Sequence, residues 1–316
     1  MPGTNPMARR RKPEPDAPNG WLIVDKPSGM TSTAVSNVVK HMSLGAKCGH
    51  GGTLDPMATG LLPIALGGAT KTVPYAMEGR KRYRFTIRWG LATDTDDAEG
   101  AVVETSDARP DEGAIQAALP AFRGRISQTP PRYSAIKVDG KRAYDLARSE
   151  ADFALKPREI EIVRFDLVDM PDQDHAVFEV ESGKGAYMRG LARDLGIAVG
   201  SLGHIAALRR TQVGPFRLDQ AHELEYLKSL GRIDRACPAL LPVKTALDDI
   251  PALAVSDSEA ADFRNGRTIR LLRKGDLARI DGLGEGDELR VEQRGSLVGV
   301  ARLNGVEIKL ERVLNF

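Results

Sequence analysis

The chain has 316 residues, 41% of them hydrophobic and 28% charged, with a net charge of +2. That is an ordinary globular composition, with room for a domain of roughly 200–250 residues and a smaller one. The apolar runs, such as 61–66, are too short to span a bilayer. Residues 1–20 lack the apolar core of a signal peptide, and Cys48 and Cys237 are too few for a disulfide framework or a cysteine-rich zinc site. A cytoplasmic location follows as the expectation.

Residues 1–18 are polar, rich in proline and basic at 9–12, and read as a disordered basic tail. A buried strand is predicted over 20–25, then a turn at 26–30. Thr31 or Ser32 caps a helix running to about Leu44, with Val35, Val38, Val39 and Met42 on one face. A short helix is predicted over 71–77 and strands over 83–89 and 101–104, with an acidic surface turn at 94–100 between the strands. A helix follows at 111–121, and then a basic excursion from the core over about 125–150. Strands come next at 159–169 and 175–182. The helix at 187–199 carries Leu191, Leu195 and Ala198 at helical spacing. A strand at 213–217 and a helix at 220–230 complete the first unit.

Strands and helices alternate without regular βαβ units, so the fold class is α+β, with a mixed, largely antiparallel sheet flanked by helices. Residues 242–251 read as a linker. Beyond them a short helix at 257–264 and strands at 277–281, 288–293, 297–303 and 306–313 describe a small β-barrel module.

The chemistry concentrates at residues 49–62, where Asp55 sits between Gly49, Gly51 and Gly52 on one side and Pro56 on the other. Glycine permits backbone conformations that a Cβ forbids, and proline pushes the preceding residue out of the helical region. The outcome is a stiff loop presenting one carboxylate, with no second acid before Glu78. Such glycine and Asp-Pro sequences are also ordinary turn chemistry. Other signatures are missing: there is no phosphate-binding Gly-x-x-x-x-Gly-Lys loop, no Gly-x-Ser-x-Gly elbow and no His-Glu-x-x-His helix. Residues 94–97 lack the glycine and glutamate that a calcium loop would need at 99 and 105. No cofactor and no metal are expected. Basic clusters at 80–88 and 123–148 can face phosphates, or can be solvated faces balanced by acids such as those at 94–99.

The string from His50 to Lys71, HGGTLDPMATGLLPIALGGATK, closely resembles the catalytic loop of TruB-type tRNA pseudouridine-55 synthases. The resemblance continues at residues 22–32, 81–85, 131–137, 182–189 and 207–211 and covers about 20–250. It implies the pseudouridine synthase fold, with Asp55 as nucleophile on a flipped-out uridine of the tRNA T-arm. A carboxylate is ionised at neutral pH, its ordinary pKa being ~4, so it needs no activating base. By the same resemblance Tyr83 stacks on the base and takes part in proton transfer, and Arg189 pairs with Asp55. Tyr187 contacts substrate, Leu208 lines the uracil pocket and His50 helps to open the RNA loop. Without the resemblance these residues would read as a strand tyrosine, a surface arginine in a helix first turn, a core leucine and a loop histidine.

The implied organisation is a catalytic domain at 19–247, with an RNA-clasping insertion at 123–150, and a PUA-like RNA-binding module at 248–316. The expected partner is the tRNA T-arm stem-loop, with no membrane, no obligatory protein partner and a monomeric chain. Two alternatives stay open, a guide-RNA-dependent synthase subunit and a non-catalytic tRNA-binding or tRNA-folding protein.

Overall fold

A computed structural model of the chain describes residues 13–134, 136–138, 140–149, 153–271 and 274–314. The basic run at 9–12 lies outside them. Residues 13–18 pack on the body of the protein: Glu14 N donates to Leu44 O, Arg232 pairs with Glu14, and Arg235 N donates to Asp16 O. The tail expected over 1–18 therefore ends earlier than its composition indicates.

Strand β1 (Gly20–Lys26) is apolar and almost fully buried. Helix α1 (Ser32–Met42) starts where Thr31 Oγ1 accepts from Ala34 N at 3.1 Å, and it buries Val35 and Val39 against β1. The further elements that frame the larger unit are β2 (Thr59–Leu66), β3 (Lys81–Trp89), α2 (Glu112–Ala118), β4 (Gly124–Gln128), β5 (Arg158–Asp172), β6 (His175–Ser182), α3 (Met188–Ala198) and β7 (Gly203–Val213). They build one mixed sheet in the order β1-β2-β7-β3-β6-β5-β4. His222–Glu223 lies outside β1, and the short strand Cys48–His50 lies on β2. Only the β2–β7 and β1–222/223 pairs are parallel. The predicted mixed, largely antiparallel sheet is observed.

Tyr83, Phe85, Ile87 and Trp89 alternate along β3 towards one face. There Phe85, Phe165 and Phe178 pack with ring centroids 5.4–5.9 Å apart. Helix α3 lies on this face through Leu191, Ala192 and Leu195, whereas Ala198, expected beside them, is exposed. Two long strands inside this sheet were not expected from the sequence. β2 is hidden inside the Asp55 string and holds Pro63, and β7 holds Gly203 and the pair Arg209-Arg210. β4, assigned above to the basic excursion, is an edge strand of the sheet.

β2 and β7 run parallel only at Thr59–Gly60 against Arg209–Arg210. Gly60 has φ +96°, and a Cβ there would lie 2.3 Å from the Arg210 carbonyl oxygen. That close approach of two backbones requires glycine.

The C-terminal unit has its own core around Leu253, Phe263, Val291 and Leu303. Strands β8 (Ala252–Ala254), β9 (Ile269–Arg270), β10 (Glu288–Gln293), β11 (Ser296–Asn304) and β12 (Glu307–Val313) form a sheet in the order β8-β10-β11-β12-β9. Helix α4 (Asp257–Arg264) packs against it. No pairing among the described residues joins β8 to β9, so the sheet is an open half-barrel rather than the closed barrel expected. The strand predicted at 277–281 is helical, as Lys274–Leu277 and Ala278–Ile280. Leu277, Ala278 and Arg279 are good helix formers, and Arg279 bonds Glu259 of α4 at 2.8 Å. Nor is 242–251 a free linker: Val243–Leu247 is a 3-10 turn whose Leu247 is buried with Val300 and Leu314.

Gly60 and Gly29 both have positive φ, but a Cβ on Gly29 (φ +82°) would meet nothing within 4 Å. Gly29→Ala should therefore cost only the left-handed backbone term, about 1–2 kcal/mol. Gly60→Ala should cost more than about 3 kcal/mol, because backbone must also move. Equal losses in urea denaturation would contradict this account.

Candidate active site

Asp55 lies on the loop that joins Cys48–His50 to β2, at the end of the sheet where β1, β2 and β7 meet. Its aim is set from both sides. Ser32 Oγ accepts from Leu54 N at 2.8 Å and donates to Leu54 O at 3.1 Å. Beyond Asp55, the Pro56 carbonyl receives Lys26 Nζ and Gly29 N, each at 2.9 Å. Lys26 is fully buried and also bonds Pro27 O and Met30 O. Burial brings its pKa down to about 8, with Asp55 opposing the shift.

The carboxylate meets Arg189, the second residue of α3, which is 4% exposed. Arg189 Nη2 donates to Asp55 Oδ1 at 3.1 Å. Its Nε sits 2.9 Å from Oδ2, an ion-pair contact without the alignment of a hydrogen bond. The same guanidinium donates to Thr95 O (2.9 Å) and Tyr133 O (2.8 Å) and lies 3.6 Å from Asp97 Oδ2. Asp97 is itself buried and accepts from Thr95 Oγ1 and Glu99 N. Residues 94–97 are therefore not the bland surface turn expected: they cradle the arginine. Arg193, one turn further along α3, bonds Asp96 (3.0 Å) and Thr129 O (2.8 Å).

Tyr187 is half-buried just before α3. Gln128, at the end of β4, clasps its backbone by two bonds: Gln128 Nε2 donates to Tyr187 O and Tyr187 N donates to Gln128 Oε1. Burial, then the charge of Asp55, hold the Tyr187 phenol above its ordinary pKa, so it stays protonated at neutral pH. Tyr83 packs at the edge of the core that also holds Leu54, Ala58 and Leu208. Leu208 is 7% exposed and stands opposite Phe85. His50 is half-buried, and burial with nearby Arg210 keeps its imidazole below the ordinary value and hence neutral. No bond ties His50 to Asp55.

Of the six expected residues, Asp55 and Arg189 share a direct bond among the described residues, Tyr187 lies within reach of the Asp55 charge, Tyr83 and Leu208 border one core, and His50 lies near Arg210. Sequence reasoning missed Lys26, Ser32, Asp97, Gln128 and Arg210. Each is a polar residue that the fold buries, and only Lys26, directly after an apolar strand, carries a local signal. Cavity size does not mark the place. A cleft of about 490 Å³ lies elsewhere, on the C-terminal sheet, lined by Tyr75, Arg302, Lys309 and Arg312 among others.

One carboxylate held by a buried guanidinium, with Tyr83, Tyr187 and Leu208 near it, is set in this mixed sheet. The crystal structure of a Cbf5-Nop10-Gar1 complex shares the fold, with a TM-score of 0.71 over 97% of this chain and 92% of that one, at 23% identity. Residues 40–188 match the TruB family pseudouridylate synthase N-terminal domain, and 189–248 match the tRNA pseudouridylate synthase B C-terminal domain. The tRNA pseudouridine synthase B of Gluconacetobacter diazotrophicus is 59% identical over 84% of this chain and 86% of that protein. That of Rhodospirillum rubrum is 47% identical over 98% of this chain and all of that protein. The chain belongs to the TruB family of pseudouridylate synthases.

Arg189→Lys should keep the positive charge and lose the fork, since an ammonium cannot hold Asp55, Thr95 O and Tyr133 O together. Single-turnover rate should fall roughly 100-fold with RNA affinity within ~3-fold of the native value; a loss confined to affinity would contradict the positioning role. Lys26 supplies a pH test. Its pKa is about 8 in the fold and 10.5 as its ordinary value, so between these the unfolded chain holds more protons. Stability from this group must then rise with pH over about 8 to 10.5. Denaturation midpoints of Lys26→Met should show a smaller rise across that window; an unchanged rise would contradict the assignment.

Proposed function

We infer that this chain isomerises uridine to pseudouridine in tRNA, and that its target is uridine-55 of the T-loop, with Asp55 as the nucleophile. The observation that carries the chemistry is the Asp55–Arg189 pair: one carboxylate whose nearest cation is buried and anchored on three segments. The reaction breaks N1–C1′ and forms C5–C1′. A proton leaves C5 and one is gained at N1, with no net redox change. That demand suits a fixed anion and proton-carrying tyrosines. The flipped uridine would stack on Tyr83, meet Leu208 as a wall and Tyr187 as a donor, while His50 helps to open the RNA loop. Extruding a stacked base costs a few kcal/mol, which phosphate contacts must offset.

The proposed organisation is a catalytic domain at 19–247 and a PUA-like RNA-binding module at 248–316; the separate core around Phe263 supports the division. The proposed clasp on RNA is the region 123–150. A monomer acting in the cytoplasm without an obligatory protein or guide RNA is the reading we favour. The relatives that match nearly the whole chain at 47% identity or more are named as tRNA enzymes, whereas the Cbf5 likeness extends to the fold alone.

The test is the purified chain with a T-arm stem-loop. Native protein should form pseudouridine unaided, and Asp55→Asn should lose turnover by at least ~1,000-fold while binding within ~3-fold of native. Turnover by the Asn variant would sink the nucleophile assignment. Inactivity of the native chain until a guide RNA is added would favour the guided alternative.

A further inference from the structure

Arg210 is 2% exposed, and no carboxylate of the described residues lies within ion-pair distance of it. Its nitrogens are directed at carbonyls instead. Nε donates to Leu61 O (2.9 Å), Nη1 to Thr53 O (3.3 Å) and Nη2 to Gly52 O (3.0 Å). Gly52 has φ +116°, and a Cβ there would lie 3.5 Å from Nη1, so the loop lies in ordinary contact with the guanidinium. Arg210 is also the direct partner of Tyr83 in the β7–β3 register. Directly opposed residues put their side chains on the same face of a sheet, and Tyr83 is close enough to Arg210 to act on its charge.

A buried cation without a carboxylate is costly and is retained only where its hydrogen bonds are well met. A neutral side chain would leave the carbonyls of Gly52, Thr53 and Leu61 without this donor. What a guanidinium adds at this place is reach, because one rigid, planar group touches both the loop that carries Asp55 and the tyrosine across the site.

We propose that Arg210 is a positioning residue of the isomerisation, locking the Asp55 loop and the Tyr83 hydroxyl into one unit so that anion and phenol meet the same nucleotide in fixed register. This rests on the reading of the site as a tRNA pseudouridine synthase. The guanidinium bonded to the Asp55 loop thus stands on the same sheet face as Tyr83, so loop and phenol share one rigid neighbour. The substrate base does not touch Arg210; it meets what Arg210 holds.

The experiment is a double-mutant cycle on the intact chain, read as single-turnover pseudouridine formation and as affinity for a T-arm stem-loop. Arg210→Lys keeps the charge but cannot span the loop and the phenol. It should lower the single-turnover rate roughly 100-fold with affinity within ~3-fold of native, and lower it less than ~3-fold further in a Tyr83→Phe background. A full 100-fold loss in both backgrounds would overturn the proposal, since Arg210 would then only support the loop. So would a loss residing in affinity. A measurement that leaves Arg210 in place covers a lysine variant that does not fold. The buried guanidinium protons should exchange slowly, and their 15N-correlated NMR signals should move on Tyr83→Phe; unmoved signals would equally overturn it. Native protein that makes no pseudouridine fails the functional reading itself, while the NMR comparison still decides the Arg210–Tyr83 link.

Discussion

Six consecutive carbonyls of the Asp55 loop are each given a donor from another part of the chain or from within the turn, and the candidate site depends on this. Gly52 O and Thr53 O receive Arg210, Leu54 O receives Ser32, and Asp55 O receives Ala58 N. Pro56 O receives Lys26 and Gly29, and Met57 O receives Ser28. An irregular segment beside a core cannot form a ladder of its own, yet buried backbone polar groups must be paired. The side chains that satisfy it come from β1, the turn after it, α1 and β7, so the loop can take its shape only when these separate parts of the chain are in place. Its precision is a product of the tertiary fold.

This arrangement makes Asp55 a prearranged group. An anion whose backbone is held at every residue, and whose carboxylate is gripped by a buried arginine, need not be reorganised when a substrate arrives, which is where preset electrostatics contribute most to rate. Arg189 extends the constraint outwards. Its Nη2 is shared between Asp55 Oδ1 and Tyr133 O, and Tyr133 stands at the entry to the region proposed to clasp RNA. Gln128 and Arg193 fasten the same entry to α3. The clasp and the carboxylate therefore share one helix start as their anchor.

The sequence made much of this legible, and its failures have physical causes. Strands such as β1, β3, β5 and β6 announce themselves because one face alternates or the whole strand is apolar. β7 is central but was hidden, because Arg209 and Arg210 look like a polar break. In the fold the first pairs with Asp25 at 2.6 Å and the second is capped by carbonyls, partners that lie more than a hundred residues away. β2 was hidden by Pro63. Its carbonyl receives Gly51 N, so its missing N–H would face the same side. There the neighbour changes from β7, at Thr59–Gly60, to Cys48–His50, at Ile64 and beyond. Proline is tolerated at a gap in the ladder. Asp55, Arg189, Tyr83, Tyr187, Leu208 and His50 are proposed through the family pattern. Asp97, Gln128 and Arg210 are not, since a buried polar residue is recognised by its partners and a sequence does not display them.

Charge shows the same limit. Residues 80–88 carry five cations and no acid, which invites an RNA-facing reading. Alternation sends Arg82 and Arg84 to the open face of the sheet, where β6 presents Glu181 and Glu179 directly opposite. Arg82 lies 2.8 Å from Glu181 and Arg84 3.7 Å from Glu179, while Lys81 is buried against the carbonyl end of a short helix. Arg123 is likewise paired with Asp166. The balancing acids thus lie across the strands and not at 94–99, where Asp97 and Asp96 are committed to Arg189 and Arg193. Exposed ion pairs of this kind contribute little to stability, but they do lower the free positive potential of the face that bears them. Attraction for a polyanion depends on cations left without such partners, so a basic run in a strand counts towards RNA binding only after the strand beside it has been read.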